Sequence, residues 1–382
     1  MPIRPIVVLS TLLHAYLGWR LLPAWRTEPA VFTALVALLV ASAVLMPTSL
    51  LARGLRSRRV ADVLTWAGYL CMGLFSSLFV LSVLRDALLL GASLAALAFP
   101  AAALSDAWAR DAARVVPALA IVITLWGLWN ARRTAAVVTV DVPIDDLPSA
   151  LHGFTIAQIS DVHVGPTIKR AYLAAIVERV NRLQPDMVAV TGDLVDGRVP
   201  ELAPHVAPLA ALRSRHGSYF VTGNHEFYSG AAAWVVELRR LGLQVLQNEH
   251  VVLQHDGAAL VVAGVSDYSA HRFDPALRSD PQAAMRGAPH DAGVRLLLAH
   301  QPRSAEAAEA AGFDLQLSGH THGGQFWPWS HFVRLQQPFT AGLHRWRRLW
   351  VYTSRGTGYW GPPKRFLAPS EITRLRLVPA SG

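Results

Sequence analysis

Nothing restricts the folding of this chain more than four long apolar runs in its first third, at residues 6–22, 30–51, 60–84 and 115–129. Each approaches the roughly 20 residues that a helix needs to cross a bilayer. A cleaved signal peptide would account for the first run alone, and no small-x-small cleavage site follows it. A globular core would have to hide several such runs in succession. Residues 1–133 therefore read as a transmembrane helical domain of about four spans. A further run at 88–104 is Ala-rich, shorter and interrupted by Pro100, and reads as a re-entrant, interfacial or loop helix. The runs hold few ionisable residues, which argues for an anchor and against a transporter or channel. His14, inside the first run, reads as a helix-packing residue.

Arginines set the expected orientation. Arg53, Arg56, Arg58 and Arg59 follow the second run, Arg4 precedes the first, and Arg132 and Arg133 follow the fourth. Four spans put all of these on one side, so the rest of the chain is expected on the cytoplasmic face of a cell or inner membrane. A fifth span would invert that. The formal net charge of +9 suits arginines near anionic headgroups. No basic stretch is interleaved with base-stacking aromatics, so the expected partner is the lipid bilayer and not nucleic acid. No protein partner is predicted. A single cysteine, Cys71, excludes a disulfide framework and a thiolate metal site.

Beyond a linker and first strand at 134–150, residues 151–380 read as a soluble α/β domain. Residues 137–142 and 154–160 alternate like strands, and 170–183 carries Leu173, Ile176, Val177 and Val180 at amphipathic-helix spacing. Short apolar strands are expected at 187–191, 219–222, 296–299 and 315–317. The strands run into Asp161-Val-His163, Gly192-Asp193-Leu-Val-Asp196, Gly223-Asn224-His225-Glu226, His300 and Gly319-His320-Thr-His322-Gly-Gly. Side chains at adjacent strand ends converge on one rim of a sheet, where open α/β sheets place ligands.

Alone, a His-x-His pair or an Asp at a strand end is more often a turn or cap residue. Together, these residues offer oxygen and nitrogen donors without soft sulfur, a set suited to Mn, Fe or Zn. Two such ions about 3.5–4 Å apart need a bridging carboxylate, and Asp193 is the candidate. Such a pair can lower the pKa of a bridging water towards neutrality and neutralise a phosphoryl group during in-line attack. Phosphate-ester hydrolysis is the reaction that needs both.

The five blocks, in this order, resemble those of calcineurin-like metallophosphoesterases, over about residues 154–377. The resemblance implies a four-layer α/β/β/α sandwich of two mixed sheets flanked by helices. It implies two divalent ions, the first on Asp161, His163, Asp193 and His322, the second on Asp193, Asn224, His300 and His320. His225 is the implied general acid, oriented by Asp196, and a hydroxide held between the ions is the implied nucleophile. Glu226 and Gln325, each next to a ligand block, are expected to hydrogen-bond ligands rather than bind metal.

Substrate class is less sharply marked. The protein Ser/Thr phosphatase branch carries phosphate-clamping arginines where this chain has Gly197 and Val221-Thr222, with Arg198 one position late. The apolar runs, the Gly-His-Thr-His-Gly-Gly-Gln block and the segment 355–366 resemble transmembrane proteins with a metallophosphoesterase domain. These are related to phosphodiesterases proposed to act on UDP-2,3-diacylglucosamine in lipid A synthesis. That resemblance implies a phosphodiesterase acting on a lipid-linked or nucleotide-linked phosphodiester or pyrophosphate. The alternatives are a phosphomonoesterase with the same metal core and a binding scaffold of the same fold. Lys364 and Arg365, after a Gly-Pro-Pro turn, are expected to reach the substrate's second phosphate. The aromatics and arginines of 325–360 read either as a membrane-facing lip or as core and solvated charge.

Overall fold

The structure, a computed structural model, describes residues 3–55 and 57–380, so Arg56 lies outside the described residues, as does the Arg53 side chain. The chain divides into two compact units, Met1–Trp129 with Gly361–Phe366 and Asn130–Trp360 with Leu367–Gly382.

The first unit contains helices α1 (Ile3–Leu21), α2 (Pro29–Leu51), α3 (Arg58–Ala96) and most of α4 (Asp106–Arg132). Four helical segments among the described residues are long and apolar enough to cross a membrane. Leu12, Val40, Val63 and Val122 stay exposed, as side chains facing lipid would. Leu17, Leu21, Leu39, Leu78, Val116 and Ala120 pack inward as a separate cluster. Polar side chains bind the helices to one another, as they do where packing alone must hold a bundle. His14 Nδ1 donates to the Ser10 carbonyl (2.7 Å) and its Nε2 pairs with Ser42 Oγ (2.9 Å), the packing role expected of it. Asp86 accepts from Tyr16 and Arg20. The run at 88–104 forms no helix of its own. Its first part extends α3 to Ala96, and a 3-10 turn at Pro100–Ala102 follows, because Pro100 cannot supply the N–H that would continue the helix.

Close approach of α2 and α3 depends on Gly68. A Cβ there would lie 2.4 Å from Ser49 Cβ and 2.5 Å from the Leu45 carbonyl oxygen. Gly68→Val should lower stability in detergent by about 1–3 kcal/mol, the usual cost of overpacking, seen as a drop in thermal midpoint. An unchanged midpoint would show that the two helices do not meet there.

Residues 361–366, although late in sequence, group with these helices. Lys364 Nζ donates to the Gly73 carbonyl (2.8 Å) and to Ser77 Oγ (2.5 Å), and Arg365 N donates to the Gly127 carbonyl (2.8 Å). Both side chains are buried. Burial pushes the Lys364 ammonium down to about 8.

The second unit is a two-sheet sandwich. Its strands are β1 (Ala136–Ile144), β2 (Thr155–Ile159), β3 (Met187–Val190), β4 (Ser218–Phe220), β5 (Gln244–Val245), β6 (Glu249–His255), β7 (Ala258–Gly264), β8 (Val294–Leu298), β9 (Leu315–Ser318), β10 (Gly342–Trp346), β11 (Leu349–Thr353) and β12 (Glu371–Pro379). One sheet runs β1-β12-β2-β3-β4-β5 and the other β10-β11-β9-β8-β7-β6. Both are mixed: β2 to β5 are parallel and β12 is antiparallel to β2, while β7, β8, β9 and β11 are parallel with antiparallel edges.

Alternation along the strands builds four layers. Ile156, Met187 and Ala189 face the second sheet's Leu260, Val262, Leu296 and Leu317. Ala157, Ile159, Val188 and Val190 face the other way, towards Leu173, Ile176, Val177 and Val180 of α5 (Arg170–Arg182). Ala263, Leu297 and Val351 pack outward on Ala305, Ala308 and Phe313. The strands expected at 187–191, 219–222, 296–299 and 315–317 form the parallel centres of the two sheets. Strand β1, expected as the first strand within 134–150, pairs along its whole length with β12.

Candidate metal centre

Parallel strands that end together present their following residues together. After β2 come Asp161 and His163, after β3 Asp193 and Asp196, after β4 Asn224 and His225, after β8 His300, and after β9 His320 and His322. Three overlapping groups result, each with its ligand atoms within 4.8 Å of one another: Asp161, His163 and His322; His163, Asp193 and His225; Asp193, His300 and His320. Asp193 and His163 are each shared by two of them.

The backbone bends sharply to aim these side chains. Asp161, His163, Asp193, His320 and His322 all have φ between 51° and 70°. Non-glycine residues held there cost on the order of 1–3 kcal/mol each and persist where the surroundings over-determine them. The surroundings do so. Asp161 takes the His320 N–H on both carboxylate oxygens (2.9 and 3.1 Å). Glu226 accepts from the N–H groups of Gly223, Asp193 and Leu194 at 2.7–2.9 Å. The Thr357 and Gly358 N–H groups donate to the Ser160 and Asp161 carbonyls (2.7 and 3.1 Å). The segment 355–360 thus braces the first ligand loop, and Gly358 is needed because a Cβ there would lie 2.2 Å from the Val162 carbonyl oxygen.

The imidazoles are held in defined states. His300 Nδ1 donates to the Thr191 carbonyl (2.8 Å), which leaves Nε2 as the nitrogen facing the rim, 3.2 Å from both Asp193 Oδ2 and His320 Nδ1. A hydrogen bond on the far ring nitrogen is the usual way to fix a ligand tautomer. Burial and the neighbouring His300 charge hold His320 neutral, with a pKa of about 3, and the Arg303 charge acts in the same direction. His163 and His322 face each other Nε2 to Nε2 at 3.0 Å. Asn224 Oδ1 is buried without a hydrogen-bond partner, an expensive state for an amide oxygen. Paired imidazole lone pairs, shared carboxylate oxygens and an orphaned amide oxygen fit divalent ions of the Mn, Fe or Zn kind.

His225 differs from the others. Its Nδ1 is hydrogen-bonded to Asp196, which also faces His163 Nδ1 at 3.4 Å. Burial opposes charge on this imidazole, but Asp193 and the Asp196 hydrogen bond outweigh it and raise its pKa to about 9. Burial and the nearby Asp193 push Glu226 up to about 8. Trp360 and Tyr228 pack edge-on against the His225 ring, at 5.6 and 5.4 Å between centroids.

All nine expected residues of the metal and acid set meet on this rim. Glu226 holds ligand backbone, as expected. Gln325 instead brackets Trp360, donating to its carbonyl and accepting from its N–H (both 2.8 Å). Lys364 Nζ is engaged by Gly73 and Ser77, and the Arg365 backbone N–H by the Gly127 carbonyl, all within the helical unit. The aromatics of 325–360 are divided: Phe326 and Tyr359 are buried, while Trp329, Phe332 and Trp360 are exposed. Sequence reasoning missed the bracing by Thr357 and Gly358, since backbone contacts leave no residue-type signature.

Residues 154–324 match the family described as calcineurin-like phosphoesterase. A Danio rerio protein named "Transmembrane protein with metallophosphoesterase domain" is 38% identical over 69% of this chain and 62% of its own length. The Bos taurus protein of the same name is 41% identical over 69% of this chain and 63% of its own. The chain thus spans under two thirds of these relatives. An uncharacterized metallophosphoesterase of Aquifex aeolicus is 33% identical over 57% of this chain and 82% of its own length.

Proposed function

Because this chain belongs to the calcineurin-like metallophosphoesterase family, we propose that it is a membrane-anchored phosphodiesterase using two divalent ions. The observation that carries this reading is Asp193, whose carboxylate is common to two of the ligand groups. Asp161, His163, Asp193 and His322 would hold one ion, and Asp193, Asn224, His300 and His320 the other. Bound there, the ions would supply Lewis acidity to a phosphoryl group. The chain's own contribution is a proton. His225, charged near neutral pH and held by Asp196 through Nδ1, keeps Nε2 for the leaving oxygen. Trp360 and Tyr228 limit water around that ring.

Phosphate-clamping arginines of the protein phosphatase kind are missing at Gly197 and Val221-Thr222, which favours a diester or pyrophosphate over a phosphoprotein. A lipid-linked or nucleotide-linked substrate, of the UDP-2,3-diacylglucosamine type, suits a chain with four candidate spans. The arginines that flank α1, α2 and α4 support a cytoplasmic catalytic face. A phosphomonoesterase with the same core is the second reading, supported by that shared core, and comparing monoester with diester turnover separates the two.

The direct test is hydrolysis of bis-p-nitrophenyl phosphate by the purified full chain. EDTA should abolish turnover and Mn²⁺ restore it, with metal content following. Turnover that persists in EDTA would overturn the two-ion reading. Metal-loaded protein inert towards both monoester and diester would overturn the hydrolase reading.

A further inference from the structure

With Lys364 committed to Gly73 and Ser77, the second unit still contains a place built for an anion. We infer that a cleft lined by Tyr268, His271, Arg272, Arg278, Ser279 and Arg303 binds a second phosphoryl group of the substrate. This inference rests on the phosphodiesterase reading and narrows its substrate to a pyrophosphate, or to a diester bearing a further phosphate.

The cleft has a volume of about 450 Å³ and no Asp or Glu in its lining. Its arginines come from the loops that follow β7 and β8, the same strand ends that carry Asp267 and His300. Tyr268 follows Asp267, whose carboxylate takes the Gln301 amide (3.0 Å), and Gln301 follows His300. Arg303 lies one turn further on, in the 3-10 turn Pro302–Ser304. The cleft is therefore built from loops that leave the same strand ends as the metal centre.

Its charges are uncommitted. Arg272, Arg278 and Arg303 are exposed, and none makes an ion pair among the described residues. Asp274 and Asp280 of the same segment accept the Ala276 and Ala283 N–H groups, and neither lines the cleft. Arg303 donates Nε to the Gln336 carbonyl and sits 6.0 Å over the Tyr268 ring. That fixes the plane of its guanidinium, and its terminal nitrogens make no hydrogen bond among the described residues. Ser279 Oγ is buried without a partner. A concave site of one sign concentrates an oppositely charged ligand, and planar guanidinium donors match phosphate oxygens in pairs.

Two measurements test this on detergent-purified full chain. The first is calorimetric binding of inorganic pyrophosphate to protein kept in EDTA, which reads the cleft without turnover. Wild type should bind, with affinity falling as salt rises, and Arg272→Gln/Arg303→Gln should bind about tenfold or more weakly. The second is kcat/KM for UDP-glucose relative to bis-p-nitrophenyl phosphate, a ratio that the double variant should lower by about tenfold. No pyrophosphate binding in wild type, or equal binding by the variant, would overturn the inference. So would weaker binding with an unchanged ratio, which would mark an adventitious anion site, or a wild type that cleaves the diester and not UDP-glucose. Loss of all turnover with pyrophosphate binding intact would instead count against the phosphodiesterase reading and leave the anion site standing.

Discussion

Asp193→Asn should reduce turnover of bis-p-nitrophenyl phosphate on the order of 10³-fold, the scale on which loss of one transition-state-stabilising group registers. The carboxylate is fully enclosed. Its Oδ1 takes the His225 N–H at 2.9 Å, and its Oδ2 lies 3.2 Å from His300 Nε2 and 3.9 Å from the Nε2 atoms of His163 and His225. An amide fills the same volume, so the fold should survive. It removes one negative charge from a position facing three imidazoles, and it presents N–H groups where lone pairs must converge. Metal bound per chain, measured by elemental mass spectrometry, should fall together with turnover. A variant that keeps wild-type metal content and wild-type turnover would show that this carboxylate is not shared between the two ligand groups.

Gly319→Ala should cost about 10²-fold in turnover, the expected penalty for displacing a catalytic group by about 1 Å. The backbone at Gly319 could accommodate alanine, since φ there is not in the left-handed region. Space is what fails: a Cβ would lie 2.0 Å from Ser160 Oγ and 2.2 Å from Asp161 Oδ2. Asp161 must move, and with it the two contacts that hold the His320 N–H. Turnover and metal content should fall while far-ultraviolet circular dichroism stays unchanged. A fully active alanine variant would mean that the first and last ligand loops are not as close as described.

The chain declares some of this openly. Apolar runs of span length, and short apolar strands ending in Asp, Asn or His, are local features, and each reappears where the pattern puts it. The convergence of Asp161, Asp193, Asn224, His300 and His320 follows from parallel strands ending at one edge, so a correct reading of strand ends nearly delivers the rim. Other features depend on partners far away in sequence. Strand β1 alternates like a strand, but only the fold shows that its partner is β12. Lys364 reads in sequence as a lysine after a Gly-Pro-Pro turn, and only the fold shows it donating to Gly73 and Ser77. The arginines of the cleft are spread between Arg272 and Arg303 with no motif to join them, and only two loops leaving adjacent strands bring them together. The left-handed ligand residues are the least legible, because only a small share of non-glycine residues adopt that conformation, Asp and His included, and nothing in their neighbours announces it.

The brace between the first ligand loop and the segment 355–360 sets a schedule for how this protein can form. Strand β2 emerges early from the ribosome, but one of its two sheet neighbours is β12, at Glu371–Pro379. The carbonyls of Ser160 and Asp161 likewise wait for Thr357 and Gly358. Contacts spanning some 200 residues close slowly, because loop entropy is lost before the contacts are gained. Until the last strand is made, β2 presents an open apolar edge, the kind of surface through which incomplete chains aggregate. A ribosome stalled after Gly324 would have made every metal ligand and still hold no finished site.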